Sequence, residues 1–340
     1  MPFADFTSFS RMTDTARRRG FAFPAFNVHD LYTLNGVIEG FAAAGSDGIV
    51  QIYPDAAREA SGAAGDPVLG AVTLADHAHR LADRYDVFLA VHSDHCDAEL
   101  APVYLEPLIA ETATRRARGM SNLFTSHMFD GSALPLDKNL EISSKYLDLC
   151  RANDLWLEIE IGIVGAENSS ADVSGGVTKG ENQARVYTSP ADFLAVSDRL
   201  GTGEGLLVAP SFGNVHGVYK PGEVVLDPGV LERCQAALPR EEGFKLVFHG
   251  GSGSSREDIM KSLRYGVVKM NFDTDGQYAF TRGVADYMFK NYDKILRIDG
   301  DMGIKLAYFA ETWLARGKEN IKDLVRETCT LLGSAGNSVY

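Results

Sequence analysis

Three of the chain's eight histidines fall at the ends of short apolar runs that read as strands. They are His95 after VFLAVHSD (87–94), His216 after LLVAPSFG (206–213) and His249 in KLVFHGG (245–251). Three imidazoles converging on one point, with a fourth position left open, describe a catalytic zinc site. No local spacing motif marks them, so the argument rests on the coincidence of three strand ends. Asp94 immediately precedes His95, where a carboxyl group can exchange a proton with a bound substrate. Asp130 and Glu160 also end strands, where a carboxylate serves as an orienting partner or is simply solvated in a loop. Cys96, beside His95, is set aside as a ligand because adjacent strand residues point to opposite faces.

Two further segments carry polar chemistry. In HGGSGSS (249–255) the glycines let backbone N–H groups approach an anion closely, and MNFDTD (270–275) follows the next strand. Loops after the seventh and eighth strands of a barrel are a common phosphate site. The alternative for both is a pair of tight glycine turns.

These residues need a scaffold that brings distant strand ends together. Eight apolar, β-branched runs recur: 21–28, 48–53, 87–94, 123–130, 155–162, 206–213, 245–251 and 267–274. Their near-continuous hydrophobicity implies burial on both faces, as in a parallel sheet covered by helices. The intervening segments carry helix signals: LYTLNGVIEGFAAAG closes on Gly45, and SPADFLAVSDRLG opens on Ser-Pro and closes on Gly201. The expected fold is therefore a (β/α)8 barrel of the TIM type, one domain over 1–340. Its strands lie within about 21–274, and a helical arm occupies about 275–340. The polar, Gly/Ser-rich stretch 166–185 is too long for a plain connection and reads as a functional loop.

Composition narrows the class. With 45% hydrophobic and 23% charged residues the chain can bury a sizeable core, and its net charge of −13 repels nucleic-acid phosphates and anionic lipid headgroups. No signal-peptide-like or membrane-spanning run stands out, and Cys96, Cys150, Cys234 and Cys329 form no CxxC pair. The expectation is a cytoplasmic enzyme with reduced thiols, bound to neither nucleic acid nor membrane.

The blocks HSDHC (92–96), SHMFDGS (126–132), LEIEIG (157–162), SFGNVHGVYKPG (211–222), VFHGGSGS (247–254) and YGVVKMNFDTD (265–275) occur in this order. Together they resemble the zinc-dependent class II fructose-1,6-bisphosphate aldolases, over roughly residues 20–300. The resemblance implies Zn2+ on His95, His216 and His249, with Glu160 and Asp130 at a second metal position. It implies Asp94 as acid/base and Glu167 as a candidate for the base that removes the C3 proton. Asn27, Gly217, Gly250, Gly251, Ser252, Asn271, Asp273 and Thr274 would hold dihydroxyacetone phosphate, with a monovalent cation, Na+ or K+, nearby. Family members are homodimers or homotetramers.

Three departures from the family pattern bear on the substrate. The family's Glu-Glu pair on the mobile loop reads Glu167-Asn168 here, and an amide cannot take a proton, so Glu167 or Glu181 must serve or the loop is realigned. Tyr53 stands where the family has a serine contacting the far phosphate. Glu311 stands where an arginine grips that phosphate from a neighbouring subunit. Losing that charge-assisted pairing costs about 1.5–3 kcal/mol. The expectation is an aldolase that joins dihydroxyacetone phosphate to an aldehyde lacking a phosphate. The alternative is an ordinary fructose-1,6-bisphosphate aldolase in which Lys305 or another cation replaces the arginine. A third possibility is a non-catalytic, ligand-binding barrel.

Overall fold

The computed structural model describes residues 2–162, 187–214, 226–239, 243–251, 254–295 and 303–340. Eight parallel strands close into a barrel in sequence order: β1 (Phe23–Asn27), β2 (Gly48–Ile52), β3 (Leu89–Ser93), β4 (Ser126–Phe129), β5 (Trp156–Ile161), β6 (Leu206–Pro210), β7 (Leu246–Phe248) and β8 (Val267–Phe272). Closure is made by β1 against β8, with Ala25 opposite Asn271 and Phe26 opposite Phe272. Each strand falls within one of the eight apolar runs.

The helices are α1 (Phe6–Arg19), α2 (Leu31–Ala44), α3 (Pro54–Ala60), α4 (Pro67–Ala82), α5 (Leu105–Ala117), α6 (Leu136–Ala152), α7 (Pro190–Leu200), α8 (Gly229–Ala236) and α9 (Arg256–Arg264). After β8 come α10 (Thr274–Lys290), α11 (Tyr292–Ile295), α12 (Lys305–Tyr308) and α13 (Ala310–Leu332). Local chemistry sets their ends. Asp30 and Thr33 form a reciprocal cap on α2, and Gly45 ends it in the left-handed region at φ 58°. Ser189 and Asp192 cap α7 in the same way.

Two apolar clusters divide the interior. The larger lies between the strands' outward faces and the helices. The smaller is inside the barrel, where Phe23, Ala25, Ile49, Ala90, Trp156, Leu207 and Val247 meet Phe9, Met12 and Ala16 of α1. The first helix is thus a plug on the barrel floor. Nothing in the strand-and-helix rhythm announced it, because its apolar residues serve the barrel's inside rather than its outer wall.

The C-terminal helices are more than a projecting arm. From the end of α10 the chain returns through α13, which packs along α2 and against α10 and β1. Gly36 and Gly40 make that close packing possible. A Cβ at Gly40 would stand 2.6 Å from Val325 Cβ, and one at Gly36 would stand 2.7 Å from Ile321 Cγ2. Among the described residues no helix is long and apolar enough to cross a membrane.

Candidate metal centre and active site

Above the apolar floor, the same inward faces turn polar. Alternation along the strands places Asn27 and Gln51 side by side on β1 and β2, and His92 on β3 with Asp94 just past its end. It sets Glu158 and Glu160 on the inner face of β5, while Leu157, Ile159 and Ile161 join the outer core. A bulge in β8 does the same for Lys269. Leu246 pairs with Val267 but Val247 pairs with Lys269, so the skipped residue brings Lys269 onto the face shared by Val247 and His249.

His95, Glu160 and His249 come together here, each offering one ligand atom within 4.8 Å of the others. His249 Nδ1 lies 3.0 Å from Glu160 Oε2, and the His95 and His249 rings stand edge to face at 5.2 Å between centroids. His95 reaches this position through a left-handed backbone, φ 31°, which is sparsely populated for a residue with a side chain. The turn breaks the strand alternation, so Asp94 and His95 both serve the barrel mouth instead of pointing apart. Cys96, next along, is buried in the outer core, and burial pushes its thiol up to about 12.

Asp94 is held from one side only. Its Oδ2 accepts from Asn27 Nδ2 at 2.8 Å and from Gln51 Nε2 at 3.4 Å, while the buried Oδ1 has no hydrogen-bond partner among the described residues. Gln51 also donates to Asn27 Oδ1 at 2.8 Å, so the three side chains form one rigid unit. Asp130 is not in the cluster of ligand atoms. It stands behind His95, with Oδ2 3.2 Å from Nδ1, and its other oxygen accepts from the Ser132 amide and hydroxyl. Asp130, expected with Glu160 at a second metal position, here stands as a hydrogen-bond partner of the His95 ring.

Electrostatics mark the mouth as a cation site. Asp94, Asp130, Glu158 and Glu160 face it, with Lys269 their one lysine partner among the described residues. Burial disfavours charge on His95, but Asp94, Asp130 and Glu160 outweigh it and push the imidazole up to about 10. Burial is likewise overcome at His249, which Glu158 and Glu160 hold at about 9. Burial, with Asp130 beside it, raises Glu160. Burial opposes charge on Asp94 too, yet His95, Lys269, His92 and His249 together lower it below the ordinary carboxylate range. Surplus negative charge around two nitrogen donors and one oxygen donor is the environment a divalent ion occupies, displacing protons as it binds.

The phosphate-loop residues lie across β7, β8 and β1. Gly250 has φ 66°, a conformation that favours glycine, and at Gly251 a Cβ would come within 2.4 Å of the Met270 methyl and 3.1 Å of the Asn271 carbonyl oxygen. Asn271 accepts from Lys269 Nζ at 2.8 Å. Thr274 opens α10 behind Asp273, whose carboxylate accepts from Gln277 and lies 3.4 Å from His29 Nε2. Tyr53 is on the same rim, its hydroxyl 3.2 Å from His29 Nδ1. Glu311 is exposed on the first turn of α13. His216, Gly217, Ser252 and Glu167, with Asn168 and Glu181, lie outside the described residues.

The sequence reading passed over Glu158, Lys269, His92, Gln51 and His29. A signal for three of them was present: Glu158, Lys269 and His92 each stand two residues before a residue already singled out, and i and i+2 share a strand face.

The comparisons agree with this geometry. The family described as fructose-bisphosphate aldolase class-II matches residues 7–337. A fructose-bisphosphate aldolase of Mycobacterium leprae is 46% identical over 349 residues, covering 100% of this chain and 99% of that one. One from Corynebacterium glutamicum is 44% identical over 348 residues, with 99% of each chain covered. The crystal structure of a fructose-bisphosphate aldolase from Campylobacter jejuni aligns at a TM-score of 0.85 and 34% identity, covering 98% of this chain and 96% of that chain. A full-length match at these identities, on a closed barrel with a histidine and carboxylate cluster at its mouth, makes this chain a member of the class II fructose-bisphosphate aldolase family.

Proposed function

We propose that the chain works as a single catalytic barrel in the cytoplasm, a Zn2+-dependent aldolase that cleaves and forms fructose 1,6-bisphosphate through dihydroxyacetone phosphate. The observation that carries this is the His95, Glu160 and His249 cluster beside Asp94, in a chain 46% identical along its whole length to a fructose-bisphosphate aldolase. His95 and His249, with His216, would hold the ion, and Glu160 lies close enough to join them. Bound there, Zn2+ would act as a Lewis acid, offsetting the negative charge that builds on the ketone oxygen when dihydroxyacetone phosphate loses its C3 proton.

The chain's own groups account for the remaining steps. In cleavage, Asp94 takes the C4 hydroxyl proton as the C3–C4 bond breaks and the aldehyde forms. In condensation it returns that proton. Asn27 and Gln51 fix its orientation from behind. Gly250, Gly251 and Ser252, with the turn from Asn271 to Thr274, supply backbone donors for the ketose phosphate. Glu167 is the candidate for removing the C3 proton. A Na+ or K+ ion beside the phosphate belongs to the same reading, and replacing both by choline should slow turnover. Tyr278, Phe289, Tyr292, Ile304, Leu306 and Tyr308 are exposed on α10 to α12, which supports a homodimer or homotetramer.

A second reading, an acceptor aldehyde without phosphate, is favoured by the rim of Tyr53, His29 and Asp273 and by the acid at Glu311. One experiment separates the two. Zinc-loaded full-length protein is given fructose 1,6-bisphosphate, and separately dihydroxyacetone phosphate with glyceraldehyde 3-phosphate or with aldehydes lacking phosphate. Cleavage at a specificity constant above about 10⁴ M⁻¹s⁻¹ sustains the first reading. Poor cleavage that improves in Tyr53→Ser/Glu311→Arg, with efficient use of unphosphorylated aldehydes, sustains the second.

A further inference from the structure

One of the fully buried carboxylates among the described residues is not in the ligand cluster. Glu158 is 0% exposed, and so is Lys269, whose Nζ lies 2.8 Å from Glu158 Oε2 and donates to Asn271 Oδ1 at 2.8 Å. The other carboxylate oxygen, Oε1, is 2.7 Å from His249 Nε2, and His92 Nε2 stands 3.7 Å from Oε2. The two faces of the His249 ring system are therefore committed differently. Nε2 points down at Glu158, and Nδ1 points up toward Glu160 and the ligand cluster.

Donor and acceptor roles follow from chemistry. A lysine ammonium only donates, so the carboxylate paired with it is left as an acceptor, and the hydrogen atom between Oε1 and Nε2 belongs to the imidazole. An imidazole that donates through Nε2 presents a lone pair at Nδ1, which is the form a metal requires. Glu158, Lys269, His249 and His92 are all shut off from solvent, so bulk water does not compete for the Nε2 hydrogen.

We propose that Glu158 is a positioning residue for the metal centre: clamped by Lys269, it fixes the tautomer and orientation of His249 so that Nδ1 is the metal-binding atom. The proposal rests on the reading of the site as a Zn2+ centre. It also explains why a lysine stands in a site that must attract a cation. Lys269 neutralises the orienting carboxylate, the one carboxylate it pairs with among the described residues.

The test uses the full-length protein freed of metal and titrated with Zn2+ against a chromophoric chelator. The variants are Glu158→Gln and the double variant Glu158→Gln/Lys269→Met, which leaves no unpaired buried ammonium; circular dichroism checks that each is folded. The expected result is a zinc Kd weakened by about 10–100-fold in both. Nitrogen-15 NMR of the zinc-loaded wild type, with His249 assigned from His249→Gln, should show Nε2 protonated and Nδ1 metal-bound. Zinc bound through Nε2 in the wild type overturns the proposal whatever the variants do. So does a Kd within twofold of wild type in a folded variant. A wild-type protein that binds no Zn2+ refutes the metal reading itself, and the clamp falls with it.

Discussion

Replacing Asp94 by asparagine isolates the proton-transfer role from the architecture around it. The substituted amide keeps the shape of the carboxylate, and its oxygen can still accept from Asn27 Nδ2, the 2.8 Å contact that anchors the side chain. What disappears is the capacity to take a proton at the buried oxygen that has no hydrogen-bond partner among the described residues. General acid/base catalysis contributes about 10²–10⁴ in rate, equivalent to about 2.7–5.5 kcal/mol in the barrel's transition state. Removing a negative charge near the ligand cluster also weakens the hold on a cation, so the assay must run at saturating Zn2+ and compare kcat rather than kcat/KM. The expected outcome is a fall of two to four decades in kcat with bound zinc unchanged at saturation. Turnover above a tenth of wild type under those conditions refutes the role. A matched loss in Gln51→Leu of a smaller size, about tenfold, is expected from loosening the unit that orients Asp94.

Three further outcomes follow from the packing. Phe9→Ala should cost about 3–5 kcal/mol by emptying the plug beneath Trp156, whose ring meets Phe9 edge-on at 5.4 Å between centroids. Urea unfolding measures the loss, and kcat should change little because the charged layer lies between. At Gly40, alanine is the better helix former by about 0.8–1 kcal/mol, but its Cβ would sit 2.6 Å from Val325 Cβ, so Gly40→Ala should destabilise by about 1–3 kcal/mol. An alanine variant as stable as wild type would show that α13 can yield. Burial, helped by His92, lowers His127 from 6.5 to about 3. The unfolded chain therefore binds the proton more readily, and stability present above pH 6.5 is lost as the pH falls toward 3, at about 1.4 kcal/mol per unit. His127→Gln should flatten the pH dependence of the urea midpoint between pH 7 and 5 by that share, and an unchanged slope contradicts it.

The barrel was readable because burial on both faces leaves a mark that single residues cannot hide. LLVAP has no polar residue and GIVQI only Gln51, and a sheet sandwiched between its own interior and a shell of helices accommodates eight such mostly apolar runs. Helix α1 and the return of α13 left no such mark. Phe9, Met12 and Ala16 form an ordinary amphipathic stripe, and whether it covers the outer wall or plugs the floor is decided by the tertiary fold. Gly36 and Gly40 likewise read as weak points of a helix until Ile321 and Val325 are seen against them.

The site divides along the same physical line. Residue type and strand position were enough to single out His95, His249, Glu160 and Asp94, because a strand end on a barrel can only face the mouth. Direction was not, since it depends on departures from regular geometry. Alternation predicts that Asp94 and His95 diverge; the left-handed turn at His95 joins them. Such a conformation costs on the order of 1–2 kcal/mol for a side chain with a Cβ, and glycine would remove the cost. That histidine is held there, with Asp130 fixing its Nδ1, means that the strain is balanced by what the imidazole does at the mouth. His95→Gly should therefore lose metal binding, and in the metal-free protein the relief of the backbone is set against the loss of an imidazolium that Asp94, Asp130 and Glu160 hold, so the variant should be less stable at neutral pH. A metal-free His95→Gly variant as stable as wild type would show that the backbone strain outweighs those pairs.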